Sequence, residues 1–69
     1  MDKFDRMRIM LYGNGRFIGY LKSVSQTKGR VLSTQYKEDA KSYAKKTTAD
    51  KDVEIVKMLT HGAIEAEID

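Results

Sequence analysis

The chain has no cysteine, no proline and a single histidine among its 69 residues. Without thiols no disulfide can brace it, and neither a cysteine-type zinc centre nor a mixed His/Cys site can form. A chain this short buries only about 60% of its unfolded surface, so it makes one domain with one small core. Dimerisation is a common way for so small a domain to gain buried area, which puts a homodimer among the expected partners. No apolar run approaches the roughly 18 residues of a membrane span, so no membrane association is expected. No apolar segment of the secretory kind stands behind residues 1–6. With no proline and 33% charged residues, an ordered, cytoplasmic protein is the expectation.

The net charge of +3 is unevenly divided. Residues 1–46 hold eleven Lys/Arg against four Asp/Glu, and residues 47–69 hold two against six. Such asymmetry fits an acidic partner or self-association of opposite faces; it also fits two halves that neutralise each other within a small fold.

Two apolar, aromatic-rich runs flank Asn14-Gly15, the strongest short-range signal for a β-hairpin. A type I′ turn needs φ > 0 at both central residues, which Asn and Gly tolerate best. Residues 1–6, with Phe4 as their one anchor, are expected to fray. The spacing predicts strands over residues 7–12 and 16–24. Phe17, Gly19 and Leu21 fall on one face of the second, and Ile18, Tyr20 and Lys22 on the other. Aromatics on both faces imply that one side meets the core and the other a second surface. Gly19 invites a bulge or a close backbone approach. A polar turn over residues 25–30 leads to a short strand over 30–33, completing a three-strand meander.

The period then changes. Tyr36, Ala40, Tyr43, Ala44 and Thr47 share one helical face, which predicts a helix over residues 36–46. Thr34 or Gln35 would cap it, Glu38 and Asp39 suit its first turn, and Lys45 and Lys46 its last. Thr47-Thr48-Ala49-Asp50 fits a capping box opening a second helix over 48–61, with Gly62 as its left-handed cap. The β-branched run Val53-Glu54-Ile55-Val56 supports a rival strand paired with residues 63–68, but the capping pattern and Gly62 favour the helix. Residues 63–68 alternate strictly and read as a final edge strand, with Ile64, Ala66 and Ile68 inward. The fold class is α+β: a small antiparallel sheet, made of the meander plus the C-terminal strand, carries two helices on one face in the order β-β-β-α-α-β. The predicted core is Ile9, Leu11, Phe17, Leu21, Val31, Ala40, Tyr43, Val56, Leu59 and Ile64.

The runs Tyr20-Leu21-Lys22-Ser23-Val24, Val31-Leu32-Ser33-Thr34 and Glu38-Asp39-Ala40-Lys41-Ser42-Tyr43 have a familiar arrangement. Over about residues 8–68 the chain resembles small proteins encoded by phages and prophages of Gram-positive bacteria. The resemblance implies the same element order and a phage or prophage setting. It carries no site residues over.

Residues suited to chemistry are few. Gly13 to Gly19 have the spacing G-x-G-x-x-x-G, but a strand follows where a phosphate loop needs a helix N-terminus. His61 has Glu54 seven residues earlier but no further orienting group, and an imidazole at a helix end has a structural role beside the dipole. Ser23, Ser25, Ser33 and Ser42 sit in no nucleophile elbow. Glu65, Glu67 and Asp69 on an edge strand read as protection against aggregation before they read as a divalent-ion site. No enzymatic activity, cofactor or metal is therefore expected.

The basic residues offer more. Lys37, Lys41 and Lys45 recur every four residues, one stripe of the first predicted helix. Arg8, Arg16, Lys22, Lys28 and Arg30 decorate the meander, interleaved with Tyr12, Phe17 and Tyr20. Arg16, Lys22, Lys28, Arg30, Lys37, Lys41 and Lys45 are thus the candidate contacts to a partner or to nucleic acid. The chain lacks an RNP-type signature and a helix-turn-helix. Its basic charge also disfavours mimicry of DNA. The leading expectation, taken with the resemblance, is a phage accessory protein that docks on a host protein, such as a nuclease or another defence factor. The second is direct binding of DNA or RNA.

Overall fold

The computed structural model describes residues 6–69, so the expected fraying around Phe4 lies outside the described residues. Strands β1 (Ile9–Gly13), β2 (Arg16–Ser25) and β3 (Arg30–Thr34) form the meander. A 3₁₀ turn (Lys37–Asp39), helix α1 (Lys46–Leu59) and strand β4 (Ile64–Ile68) follow. The sheet is antiparallel in the order β3-β2-β1-β4. The first and last strands of the chain are thus neighbours, and β4 is an edge strand as its sequence implies. Asn14 (φ 55°) and Gly15 (φ 78°) both take the left-handed conformation that the hairpin turn requires.

Strand β2 carries two bulges. Leu11 faces Gly19 and Tyr12 faces Phe17, leaving Ile18 as an extra residue; Leu21 faces Ser33 and Ser23 faces Leu32, leaving Lys22. A bulge reverses the alternation beyond it. Ile18 consequently packs against the core, and Phe17, expected in the core with Gly19 and Leu21, crosses to the opposite face and is 48% exposed. The bulge depends on glycine. A Cβ on Gly19 would lie 2.7 Å from the Thr34 carbonyl oxygen, a backbone atom.

The core is the face of the sheet beneath α1. Ile9, Leu11, Leu21, Tyr43, Ala49 and Val56 are buried together, and Ile18, Val24, Val31, Val53, Ile64, Ala66 and Ile68 pack around them. Ala49, Val53 and Val56 form the inward stripe of α1, which settles the 53–56 segment as helix rather than strand. Ala40 and Leu59, expected in the core, are half-buried and lie outside this cluster.

The helix expected over residues 36–46 does not form. Its one regular turn is the 3₁₀ segment, so the order among the described residues is β-β-β, 3₁₀, α, β, with one α-helix there instead of two. An eleven-residue helix is marginal alone and needs an apolar face to bury. Here Tyr36 stays 62% exposed, and Tyr43 is the only large apolar side chain of the segment in the core. The backbone finds partners in the sheet instead. Lys41 N–H donates to Leu21 O (3.0 Å), and Tyr43 exchanges two hydrogen bonds with Met7 (2.8 and 2.9 Å). This extended run delivers Tyr43 to the core while satisfying groups that a helix would satisfy internally.

That bridge also sets where α1 begins. The helix opens at Lys46, two residues earlier than expected, with Lys45 as an N-cap that makes no side-chain hydrogen bond. Thr47 therefore lies inside the first turn, and the Thr47–Asp50 capping box does not form. At the other end, Gly62 N–H donates to Lys57 O (2.9 Å) and His61 N–H to Met58 O (3.3 Å). This is a Schellman motif with His61 in the left-handed position (φ 55°) and Gly62 (φ 81°) following it. No helix among the described residues is long and apolar enough to cross a membrane.

Candidate docking surface

The two faces of the sheet are unequal. The face under α1 holds the core, whereas Met10, Tyr12, Phe17, Tyr20 and Leu32 lie outside that cluster. Cross-strand register puts them together on the opposite face: Met10 faces Tyr20, Tyr12 faces Phe17, and Thr34, two residues from Leu32, faces Tyr20. The rings stack edge to face in a row. Tyr12 and Phe17 have centroids 5.7 Å apart at 70°, and Phe17 and Tyr20 are 5.2 Å apart at 74°. Such pairs contribute about 0.5–1.5 kcal/mol beyond area burial and hold the rings in fixed positions. Tyr12 Oη donates to Met10 Sδ at 3.8 Å, which further orders the row. Phe17 (48% exposed), at the hairpin end of β2, and Leu32 (45% exposed), on the edge strand β3, are the open apolar side chains of this face, while Met10, Tyr12 and Tyr20 are half-buried.

Charge is graded across this face. On one side Glu65 stands opposite Tyr12, and Glu67 opposite Met10. On the other, Arg30 alternates onto the same face as Leu32 and Thr34. The surface is therefore acidic along β4, aromatic in the middle and basic at the start of β3.

The basic candidates do not form the expected stripe. Lys37 lies in the 3₁₀ turn and pairs with Asp69 (3.1 Å); Lys41 lies in the extended segment and pairs with Asp52 (3.0 Å); Lys45 is the N-cap of α1. Their four-residue spacing loses its meaning once the helix is absent. Arg16 opens β2 and Lys22 sits in its second bulge. Lys28 lies in the β2–β3 turn, where its N–H donates to Ser25 Oγ. Ten residues of β2 separate Arg16 from that turn, roughly 30 Å at the usual strand rise. Arg8 is engaged with the Lys37 carbonyl (Nε to O, 3.0 Å). The seven candidates are thus dispersed over several elements.

Sequence reasoning missed one buried charge. Asp52 is 7% exposed; its Oδ2 accepts hydrogen bonds from the Tyr43 hydroxyl and from Lys41 Nζ. The ammonium also lies 5.1 Å from the centre of the Tyr43 ring. The signal was available in the inward helical spacing of Ala49, Asp52, Val53 and Val56, which places a carboxylate on an apolar stripe. Burial, then the hydrogen bond to Asp52 and its negative charge, raise the Tyr43 pKa well above the usual tyrosine range. A phenol held protonated in this way is no nucleophile. The group is a lock that joins the extended segment to α1.

Among the described residues nothing assembles around the other chemical candidates. His61 serves the helix end through its backbone. Ser25 Oγ accepts the Lys28 N–H, and Asp69 pairs with Lys37. Among the described residues no three His, Cys, Asp or Glu side chains converge as metal ligands would. No protein-family model matches the chain, and neither the curated proteins nor the solved structures contain a match to it.

Proposed function

We propose that the chain is a small non-enzymatic binding protein of the phage and prophage kind it resembles, and that it docks on a host protein through the helix-free face of its sheet. The observation that carries this reading is the edge-to-face row of Tyr12, Phe17 and Tyr20, with Phe17 exposed between two half-buried tyrosines. Pre-ordered aromatics of this sort are the residues that dominate binding energy at protein interfaces. The partner's surface has complementary chemistry: an apolar centre, carboxylates where it meets Arg30, and Lys or Arg where it meets Glu65 and Glu67. A host nuclease or another defence factor in the bacterial cytoplasm is the target class.

Protein is favoured over nucleic acid by the placement of charge. Glu65 and Glu67 border the aromatic row and repel a phosphate backbone, while Lys37 and Lys41 are already paired. The test installs a photo-crosslinking phenylalanine at position 17, with a control at Lys51 on α1, and exposes both to a nuclease-treated lysate of a Gram-positive host. The protein joined only at position 17 is then purified, and its affinity measured for wild type and Phe17→Ser. Loss of at least about 30-fold, the effect of removing a hot-spot side chain, supports the reading. Equal affinity for both forms overturns it. So does tight, salt-sensitive binding of single-stranded oligonucleotide that Phe17→Ser abolishes, which assigns the rings to base stacking instead.

A further inference from the structure

Strand β4 leaves one edge of the sheet open, and a groove of about 420 Å³ runs along it, lined by Val53, Glu54 and Lys57 of α1, Gly62, and residues 64–67. Both alternations of β4 line this groove, so it follows the strand's free edge and does not lie beneath one face alone. Hydrogen bonding tells which backbone groups look into it. Asp69 N–H donates to Arg8 O (2.7 Å), and the register continues without a shift through Glu67–Met10 and Glu65–Tyr12. Those are the hydrogen-bonded pairs of the ladder, so the N–H and C=O groups of Ile64, Ala66 and Ile68 turn away from β1. Ile64 N–H is taken by Thr60 Oγ1 (3.3 Å). The amides of Ala66 and Ile68 and the carbonyls of all three face outward.

The geometry points to a second binding site here: β4 and α1 accept an extended basic segment of another protein as a fifth strand, with Lys or Arg alternating with small apolar residues. Alternation sets the chemistry. Positions opposite Ile64 and Ala66 share the core side, near Val53; positions opposite Glu65 and Glu67 share the outer side. Two carboxylates (Glu65 and Glu67) select cationic side chains for those outer positions, while Glu54 and Lys57 of α1 line the groove from the core side. The same glutamates exclude a second copy of β4, because antiparallel self-pairing sets Glu65 and Glu67 against their own counterparts. Edge protection and partner choice are here one device.

The probe is the fluorescein-labelled peptide Val-Lys-Val-Lys-Val-Lys-Val with capped ends, compared with versions carrying Gly for Val and Glu for Lys. The full chain should bind the first and not the others. Amide exchange at Ala66 and Ile68 should slow at least tenfold on binding. Ala66→Pro removes one outward donor from an edge strand, where proline is tolerated, and should weaken binding at least tenfold. Glu65→Lys/Glu67→Lys, altered only on the solvent side, should do the same. Phe17→Ser should bind the peptide as wild type does, which separates this site from the aromatic face. Equal binding of the Gly-Lys peptide, or unchanged exchange at Ala66 and Ile68, would overturn strand addition and leave only charge attraction.

Discussion

Gly19→Ala is the most informative single substitution, because it adds one methyl group at a defined place. The new Cβ would sit 2.7 Å from the Thr34 carbonyl oxygen and 3.4 Å from its carbon. Ordinary contact begins near 3.4 Å, so about 0.7 Å must be found by moving β3 away from β2. Overpacking of this kind costs roughly 1–3 kcal/mol. Replacing glycine also restricts the unfolded chain, which returns about 0.4–1 kcal/mol. Taken at mid-range, the two terms leave a net loss of about 1.3 kcal/mol. A domain of this size has only roughly 3–10 kcal/mol of stability in total. At about 4–8 °C per kcal/mol, the melting temperature should fall by roughly 5–10 °C. Circular dichroism melts measure this directly, with Gly13→Ala as the control. A Cβ at Gly13 meets the Ile18 Cδ1 atom at 2.8 Å, the tip of a side chain that can rotate aside. Gly13→Ala should therefore cost less than half as much. If the two variants melt alike, or Gly19→Ala matches wild type, the close approach of β2 and β3 at the bulge is wrong.

Other perturbations test separate parts of the structure. His61→Gly relieves a side chain from the left-handed position at the end of α1 and should raise stability by about 0.5–1 kcal/mol in urea titration; a loss would show that the imidazole makes a contact that matters. Lys45→Ser supplies the missing N-cap acceptor and should add about 0.5–1 kcal/mol by the same assay. Asp52→Ala leaves the Tyr43 hydroxyl buried without its acceptor and should cost about 1–3 kcal/mol, whereas Asp50→Ala on the exposed side of α1 should stay within about 0.5 kcal/mol. The raised Tyr43 pKa also has a signed consequence. Its protonated form is favoured in the folded state, so its contribution is complete below the ordinary value of 10.0 and is lost as pH rises beyond it. Melting temperature should decline above pH 10, and Tyr43→Phe should flatten that decline; an identical alkaline limb in both proteins would remove Tyr43 from the account.

Local chemistry was the legible part of the fold. Asn14-Gly15 announces the hairpin, the alternation of Ile64, Ala66 and Ile68 announces the edge strand, and Gly62 marks the end of α1 to within two residues. The failures have a common origin in competition from distant parts of the chain. Tyr36, Ala40, Tyr43 and Ala44 carry helical spacing, but Met7 and Leu21 offer the same backbone a place in the sheet, and that offer cannot be read locally. The basic stripe fell with the helix that was to display it. Gly19 signalled a bulge correctly; what it left unsaid was the direction of the extra residue, which decides that Phe17 faces out. Asp52 was readable as a misfit on an apolar stripe, but its partners, Lys41 and Tyr43, depended on the segment whose conformation was misjudged. The aromatic face inherits both kinds of information, since its residues stand in the sequence and their convergence depends on the bulge.

The pairing of β1 with β4 has a consequence for how the protein is born. As the chain leaves the ribosome, the meander emerges first, and one side of β1 stays without a neighbour until residues 64–68 arrive. Helix α1, which packs chiefly on β4, likewise has little to rest on before then. A nascent chain that stops short of Ile64 therefore presents Ile9 and Leu11 without the flanking Ile68 and Ala66, a substrate for chaperones and proteases. Contacts of such long sequence separation form late and together. Closure of the core therefore waits on β4, and truncations that remove residues 64–68 should yield no folded remnant.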